Sequence, residues 1–217
     1  MAAMQMASVG AGAEGWSLSR AARQALVLLI LINLFNYIDR YVLAALEQPI
    51  QSALLPGDPN AQQKMGWLAS AFMISYMVVS PVFGWLGDRY SRWLLIAIGV
   101  GLWSLASGAT GLAWAYPVLL VTRIFVGVGE GAYGPVAPTI LSDLYPISHR
   151  GRALAWFYMA MPVGGALGYA LGGVAEHLGA WRAGFYAVVL PGIALGVWAF
   201  LSRDPPRGAS DGSTPAR

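Results

Sequence analysis

Six runs of mostly apolar residues follow one another along this chain, and each run of about twenty residues can cross the hydrocarbon core of a bilayer as one α-helix. Hydrophobic residues make up 57% of the 217 residues and charged residues only 11%. A soluble domain of this length cannot bury so much apolar surface. The sequence therefore predicts an all-α membrane protein with six transmembrane helices, at residues 25–46, 65–86, 93–112, 117–141, 153–175 and 183–201.

Polar segments at the two chain ends complete the predicted organisation. Residues 1–23 are interpreted as a cytoplasmic tail, because the apolar run that follows is too long for a signal peptide and lacks a cleavage pattern. Residues 24–201 form the six-helix transmembrane domain. Residues 202–217 are rich in Pro, Gly, Ser and charge, which favours a disordered tail or the start of a central linker.

Basic residues are distributed unequally between the two sides of the predicted helices. The loops on one side contain only Lys64 and Arg182. The positive-inside rule makes the opposite, arginine-rich side cytoplasmic. We therefore expect a multi-pass protein of the cell (inner) membrane with both termini in the cytoplasm. The arginines on the predicted cytoplasmic side include Arg20, Arg23, Arg89, Arg92, Arg150, Arg152, Arg203 and Arg207.

Glycines recur every fourth residue in two of the predicted helices. Gly164, Gly168 and Gly172 do so in the fifth helix, and Gly127 and Gly131 in the fourth. Small residues at this spacing let helix backbones approach each other in lipid. The pattern is common in membrane bundles and is equally compatible with a moving interface between helices.

Similar sequences close the second and the fifth predicted helices. Gly84 precedes Asp88 by four residues, Gly172 precedes Glu176 by four, and an arginine follows each pair. The similarity predicts that the six helices are a three-plus-three repeat, an architecture typical of secondary transporters.

Four ionisable residues lie inside predicted helices. Asp39 and Arg40 belong to the first helix, and Arg123 and Glu130 to the fourth. An unpaired charge at the centre of a bilayer costs between about 3 and more than 10 kcal/mol, so these side chains need partners or water. Counting about 1.5 Å per residue places Asp39 and Arg123 at the same depth, where they can pair. Glu130 is expected closer to the cytoplasm, near Asn33 and on the Arg123 face of its helix.

Two interpretations of these charges are open at this point. Asp39 and Arg40 either mark a helix end with their charges in the outer headgroups, or Asp39 is a buried carboxylate whose protonation depends on an approaching arginine. Glu130 is the better candidate proton carrier, because no cation is adjacent in sequence and two glycines flank it. The predicted substrate and proton pathway comprises Asn33, Asn36, Tyr37, Asp39, Arg40, Arg123, Glu130 and Tyr133.

Composition argues against several other kinds of site. The chain has no cysteine, and His149 and His177 alone cannot form a metal site, so neither a metal nor a cofactor is expected. No G-x-S-x-G or H-E-x-x-H motif occurs, so we expect no catalytic residues and no enzyme. The net charge of +3 is concentrated in short loops, which indicates no nucleic-acid partner.

Several sequence patterns together resemble the major facilitator superfamily of secondary transporters. Residues 84–92 (Gly-x-x-x-Asp-Arg-x-x-Arg) are similar to its first cytoplasmic loop, and residues 123–131 (Arg-x-x-x-Gly-x-Gly-Glu-Gly) to its helix-four motif. Residues 142–153 are similar to its loop between helices four and five, and residues 179–182 to the turn before helix six. Within the superfamily, the Asn-Tyr-Ile-Asp-Arg sequence at 36–40 resembles the spinster-like branch.

The resemblance implies roles for particular residues. The residues matching Asp39, Arg40, Arg123 and Glu130 line the central cavity in this superfamily. A conformational latch on the cytoplasmic side is implied for the first-loop motif, although Ser91 stands where glycine is usual. Spinster-like members move lysophospholipids and sphingoid phosphates. The latch residues are Gly84, Asp88, Arg89 and Arg92.

The expected function is secondary active transport of an amphipathic or anionic organic solute such as a lysolipid, coupled to protons through Glu130 and Asp39. The six helices correspond to the amino-terminal half of a twelve-helix major facilitator fold. Because alternating access needs two halves, a second six-helix half, as another copy or a separate chain, is an expected partner beside the solute and the lipid bilayer. The alternatives are half of a sugar-phosphate or organic-anion permease, and a non-transporting six-helix fragment or assembly partner.

Overall fold

The computed structural model describes residues 19–210, and this part of the chain is helical, without strands. Five of its helices are long and apolar enough to cross a membrane: α1, α3, α4, α7 and α8. The all-helical architecture expected from the apolar runs is therefore confirmed. The helices are α1 (Arg20–Ala45), α2 (Glu47–Leu54), α3 (Ala61–Gly87), α4 (Arg92–Gly111), α5 (Tyr116–Tyr133), α6 (Ala137–Leu144), α7 (Ile147–His177) and α8 (Trp181–Leu201).

The fourth predicted helix, 117–141, is divided into α5 and α6. Pro135 lies in the break after α5 ends at Tyr133, and Pro138 lies in the first turn of α6. Neither proline has a backbone N–H to continue the hydrogen bonds of a helix. The prediction of one continuous span was therefore wrong.

Other helix ends also differ from the predicted boundaries. α1 begins at Arg20, inside the predicted tail 1–23, because the Ser19 hydroxyl accepts a hydrogen bond from the backbone N–H of Ala22 and caps the first turn. The short helix α2 was not predicted. α7 begins at Ile147 rather than at residue 153. Residues 1–18 of the predicted tail lie outside the described part of the chain.

Helix pairing follows the predicted three-plus-three repeat. The most extensive packing joins α1 to α7, α4 to α8, α3 to α5 and α4 to α5, and α1 packs less extensively against α8. The first three spans are α1, α3 and α4, and the last three are α5, α7 and α8. In the repeat, α1 corresponds to α5, α3 to α7 and α4 to α8. The contact of α1 with α7 therefore corresponds to the contact of α5 with α3, and the α4–α8 contact joins two equivalent helices. The contacts are therefore those of two similar three-helix units.

Glycines occupy the close contacts between these helices. A Cβ atom on Gly168 of α7 would lie 2.7 Å from the Ile38 carbonyl oxygen of α1, and one on Gly164 would lie 2.7 Å from that of Leu34. On α5, a Cβ at Gly129 would lie 2.7 Å from the Gly99 carbonyl oxygen of α4. Real side chains do not fit at such distances, so these glycines permit the backbone contacts on which the bundle depends.

Two apolar clusters pack the interior, and α1 contributes to both. Leu29 and Ile32 belong to the first cluster, whereas Ile38 and Val42 belong to the second. The buried polar residues Asn33, Asn36 and Asp39 of α1 lie where one cluster gives way to the other. This position places a polar layer inside an otherwise apolar bundle.

Large apolar side chains remain exposed along α3 and α7. Met77 and Val78 of α3 are 63% and 66% exposed. Such faces are stable against lipid or against another protein rather than against water. The exposed large side chains of these two helices are Trp67, Met73, Ile74, Met77, Val78, Val82 and Trp85 on α3, and Ile147, Trp156, Tyr158, Met159, Val163, Leu167, Tyr169 and Val174 on α7.

Candidate functional site

Arg40 and Glu130 form a partly buried ion pair between α1 and α5. The Nη2 atom of Arg40 lies 2.5 Å, and its Nε atom 2.8 Å, from Oε2 of Glu130. The Glu130 side chain is 1% exposed and that of Arg40 is 30% exposed. Sequence reasoning did not foresee this pair, because the partners are far apart in the chain and their contact depends on how α1 and α5 are rotated.

Aromatic rings surround the guanidinium of Arg40. Its central carbon lies 4.6 Å from the ring centroid of Phe72, and 5.2 Å and 5.8 Å from those of Tyr37 and Tyr76. Cations over aromatic faces are attracted by the negative charge density of the ring. Arg40 is therefore oriented both by a carboxylate and by rings of α1 and α3.

Asp39 and Arg123 do not form the ion pair that the depth count allowed. Asp39 accepts a hydrogen bond from the Ser107 hydroxyl of α4, and Arg123 donates to the Thr110 hydroxyl of α4 across 2.5 Å. The prediction of direct pairing was wrong because α4 places these hydroxyls at the two charges. The interpretation of Asp39 and Arg40 as a helix end was also wrong, since α1 continues to Ala45 and Asp39 is 1% exposed.

The hydroxyl residues of α4 were missed by the sequence analysis. Ser104, Ser107 and Thr110 are spaced three residues apart and are all buried. This spacing places them on one helix face. The same periodicity that marks an apolar face would have identified this polar face in the sequence.

Several polar atoms of this layer lack a hydrogen-bond partner. They include Nδ2 of Asn36, Oε1 of Glu130, Oδ2 of Asp39 and Nε of Arg123. A buried polar atom without a partner is costly, so the layer has unused capacity to bind water or a polar ligand group. Asn33 and Tyr133 differ, because the Asn33 side-chain nitrogen donates to the Phe157 carbonyl and the Tyr133 hydroxyl donates to the Leu29 carbonyl.

Two cavities meet at Arg40. One, of about 160 Å³, is mainly polar and is lined by Asn33, Asn36, Tyr37, Arg40, Tyr76, Glu130, Tyr133, Gly134, Phe157, Tyr158 and Met161. The other, of about 360 Å³, is mainly apolar and is lined by Arg40, Leu43, Ala44, Glu47, Met65, Gly66, Leu68, Ala69, Phe72, Met73, Arg123 and Val126. All the predicted pathway residues except Asp39 line one of these cavities. Arg40 alone of them lines both.

The predicted latch residues lie away from the two cavities, and their surroundings differ from one residue to the next. Arg92 is buried; its Nη1 atom lies 2.5 Å from Oδ2 of Asp143, and its Nη2 atom donates to the Pro205 carbonyl. Asp88 and Arg89 are exposed, and the Arg89 guanidinium lies 3.9 Å from the ring centroid of Trp85. Gly84 approaches Pro135, where an added Cβ would make an ordinary contact at 3.8 Å.

The segment after α8 binds this loop. Both carboxylate oxygens of Asp204 accept backbone hydrogen bonds, from Arg92 at 2.9 Å and from Trp93 at 3.0 Å. The Arg207 guanidinium donates to the carbonyls of Gly87, Asp88 and Tyr90. Residues 202–210 therefore differ from the disordered tail that was one alternative for 202–217, and residues 211–217 lie outside the described part of the chain.

Known proteins resemble the chain in sequence and in structure. The profile of the Major Facilitator Superfamily matches residues 29–217. Protein spinster of Drosophila melanogaster is 39% identical over 198 residues, which cover 91% of this chain and 32% of that protein. Protein spinster homolog 1 of Homo sapiens is 42% identical over 197 residues, which cover 86% of this chain and 36% of that protein.

A solved structure has the same arrangement of helices. The crystal structure of a bacterial homologue of the human lysosomal transporter Spinster, in an inward-facing and unoccupied conformation, superposes with a TM-score of 0.78 at 27% identity. The match covers 91% of this chain and 46% of that one. The chain thus spans about a third of the length of the curated relatives that it matches. The match to the superfamily profile over most of its length shows that the chain belongs to the major facilitator superfamily.

Proposed function

We propose that this chain is a six-helix half of a secondary active transporter that moves an amphipathic, anionic organic solute such as a lysolipid. The observation that carries the proposal is the position of Arg40, which lines both a polar and an apolar cavity while it is paired with Glu130. An anionic headgroup fits the arginine, and an acyl chain fits the apolar walls beside it.

Proton coupling follows from the exchange of partners at Arg40. When the acidic group of a solute binds Arg40, it displaces Glu130 from its only cationic hydrogen-bond donor among the described residues. A carboxylate that is 1% exposed is costly without a compensating charge, so Glu130 takes up a proton as the solute binds. Arg123 and Asp39, held by the hydroxyls of α4, contribute charge to the same layer.

A second six-helix unit, either another copy or a separate chain, completes the transport pathway in this proposal. Both cavities are only partly enclosed, and the exposed apolar faces of α3 and α7 offer surface for such a unit. Alternating access then arises as the two units move around the layer of Arg40 and Glu130. In this proposal both chain ends lie in the cytoplasm, an orientation that the arginine-rich loops favour.

Uptake into proteoliposomes containing the complete assembly tests the proton step. Glu130→Gln keeps the shape and hydrogen bonding of the side chain but removes its ability to exchange a proton, so pH-dependent uptake of lysophosphatidic acid should be abolished while membrane insertion persists. Glu176→Gln is the matched control, because Glu176 is exposed on α7. Unchanged pH dependence in Glu130→Gln would reject the proton role.

The apolar cavity also distinguishes a lysolipid from a small anion. Leu43, Met65 and Phe72 line its wall. Unlabelled lysophosphatidic acid should inhibit the uptake of labelled lysophosphatidic acid more strongly than glycerol 3-phosphate does. Glycerol 3-phosphate has the same charged group but no acyl chain. Equal competition would favour a sugar-phosphate or organic-anion permease. Absence of any uptake by the complete assembly would favour a non-transporting role.

A further inference from the structure

A groove separate from the two cavities at Arg40 lies at the end of the bundle where α1 begins and α8 ends. It holds about 620 Å³ and is lined by α1, α4, α6, the end of α8 and residues 202–206, with Trp93 and Trp198 among its walls. A neighbouring depression of about 370 Å³ is lined by Arg20, Arg23, Gln24, Val27 and Trp198. Gln24 and Trp198 belong to both, so the two form one surface, here called the α1–α8 groove.

The α1–α8 groove is rich in positive charge that no residue between 19 and 210 pairs with. Arg20, Arg23 and Arg203 are exposed, and their side chains make no hydrogen bond or ion pair with any residue in the described range 19–210. The acid in the groove, Asp204, is already used, since both of its oxygens accept backbone N–H groups at the start of α4. Three guanidinium groups are therefore available to an anion.

Apolar side chains lie next to these arginines. Val27 is 48% exposed and lies one turn after Arg23 on the same face of α1. Trp198 and Leu201 of α8 are 40% and 73% exposed. Both α1 and α8 are apolar enough to cross a membrane. These apolar side chains therefore extend from the charged end of the groove towards the hydrocarbon region of the bilayer.

We propose that the α1–α8 groove binds an anionic glycerophospholipid of the adjacent leaflet. The phosphate contacts Arg20, Arg23 and Arg203, and an acyl chain lies along Val27, Trp198 and Leu201. Arginine binds phosphate oxygens through paired N–H groups, and basic pockets between transmembrane helices are typical sites for anionic headgroups. The groove shares no lining residue with the two cavities at Arg40, so this lipid is independent of the proposed transport function.

Lipid binding to the purified 217-residue chain in mild detergent tests the proposal. Phosphatidylglycerol and phosphatidylethanolamine with identical acyl chains are titrated while lipid adducts are counted by native mass spectrometry and the midpoint of thermal unfolding is recorded. Phosphatidylglycerol should bind more tightly and raise the midpoint, because a ligand that binds only the folded state stabilises it. Each arginine replaced by glutamine should weaken phosphatidylglycerol binding about fivefold.

The decisive variant is the triple substitution Arg20→Gln, Arg23→Gln and Arg203→Gln, and the single Arg203→Gln provides a milder second variant. Arg152→Gln is the matched control, since Arg152 is exposed but does not line the groove. The proposal requires weaker phosphatidylglycerol binding in the first two variants and unchanged binding in the control. Helix content measured by circular dichroism should be unchanged in all three. It is overturned if both lipids bind equally, if the triple variant binds normally, if Arg152→Gln is equally weakened, or if inorganic phosphate stabilises the chain as much as phosphatidylglycerol does.

Discussion

Two arginine–carboxylate pairs of equal length differ in how completely their atoms are bonded. Nitrogen and oxygen are 2.5 Å apart both in Arg40–Glu130 and in Arg92–Asp143. In the second pair, the free nitrogen of Arg92 donates to the Pro205 carbonyl and the free oxygen of Asp143 accepts from the Gly208 backbone N–H. In the first pair, both arginine nitrogens share Oε2 of Glu130, and the Asn36 side chain interacts with the carboxylate without completing a hydrogen bond to Oε1.

This difference separates a structural contact from an exchangeable one. Arg92 and Asp143 are held by hydrogen bonds that join α4, α6 and the segment after α8. Neither residue lines the two cavities at Arg40. Arg40 and Glu130 border a cavity from which water or a solute can replace either partner. A buried pair with every polar atom satisfied restrains the fold, whereas a partly satisfied pair beside a cavity can change partners. The substitutions below test this distinction.

The largest effect on stability is expected from Arg92→Gln. The substitution leaves Asp143, whose side chain is 13% exposed, without its cation and frees the Pro205 carbonyl. Removing one partner of a buried ion pair costs about 3 kcal/mol or more. The free energy of unfolding, measured by denaturant titration in detergent, should fall accordingly. Arg89→Gln in the same loop is the control and should change it by less than about 0.5 kcal/mol, so equal losses would contradict the structural role of Arg92.

A smaller loss of stability is expected from Glu130→Gln. The glutamine oxygen can still accept a hydrogen bond from Arg40, whose guanidinium is partly exposed and lies against three aromatic rings. The free energy of unfolding should fall by about 1 kcal/mol. Asp143→Asn is the matched control, because it makes the same chemical change in the fully bonded pair. The distinction between the two pairs fails if Glu130→Gln proves the more destabilising of the two.

The smallest change is expected from Asp204→Asn. The asparagine oxygen still accepts one backbone N–H at the start of α4, but the negative charge and the second acceptor oxygen are lost. Such caps contribute about 0.5–1 kcal/mol. Amide hydrogen exchange at Arg92 and Trp93 should accelerate, while exchange at Asn36 and Glu130 stays as in the unchanged protein. Acceleration spread over both regions would show that the segment after α8 stabilises the whole bundle and not the loop alone.

Some parts of the site were predictable from sequence because they follow from position along one helix. The spacing of Asn33, Asn36 and Asp39 places them on one face of α1, and the separation of seven positions from Arg123 to Glu130 places both on one face of α5. Most of these residues do line cavities that meet at Arg40. Which acid faces which arginine was not predictable, because it depends on the rotation of α1 against α5 and on the hydroxyls of α4.

The division between sequence and tertiary structure has a physical cause. In lipid every backbone polar group must be satisfied within its own segment, so the apolar runs determined that the chain forms transmembrane helices, although not the short helix α2 or the break between α5 and α6. The glycine spacing likewise indicated where helix backbones approach each other. Side-chain pairing across helices is decided only when packing fixes distances of a few ångströms. For that reason the tertiary structure alone paired Arg40 with Glu130, separated Asp39 from Arg123 and joined the segment after α8 to the loop at Arg92.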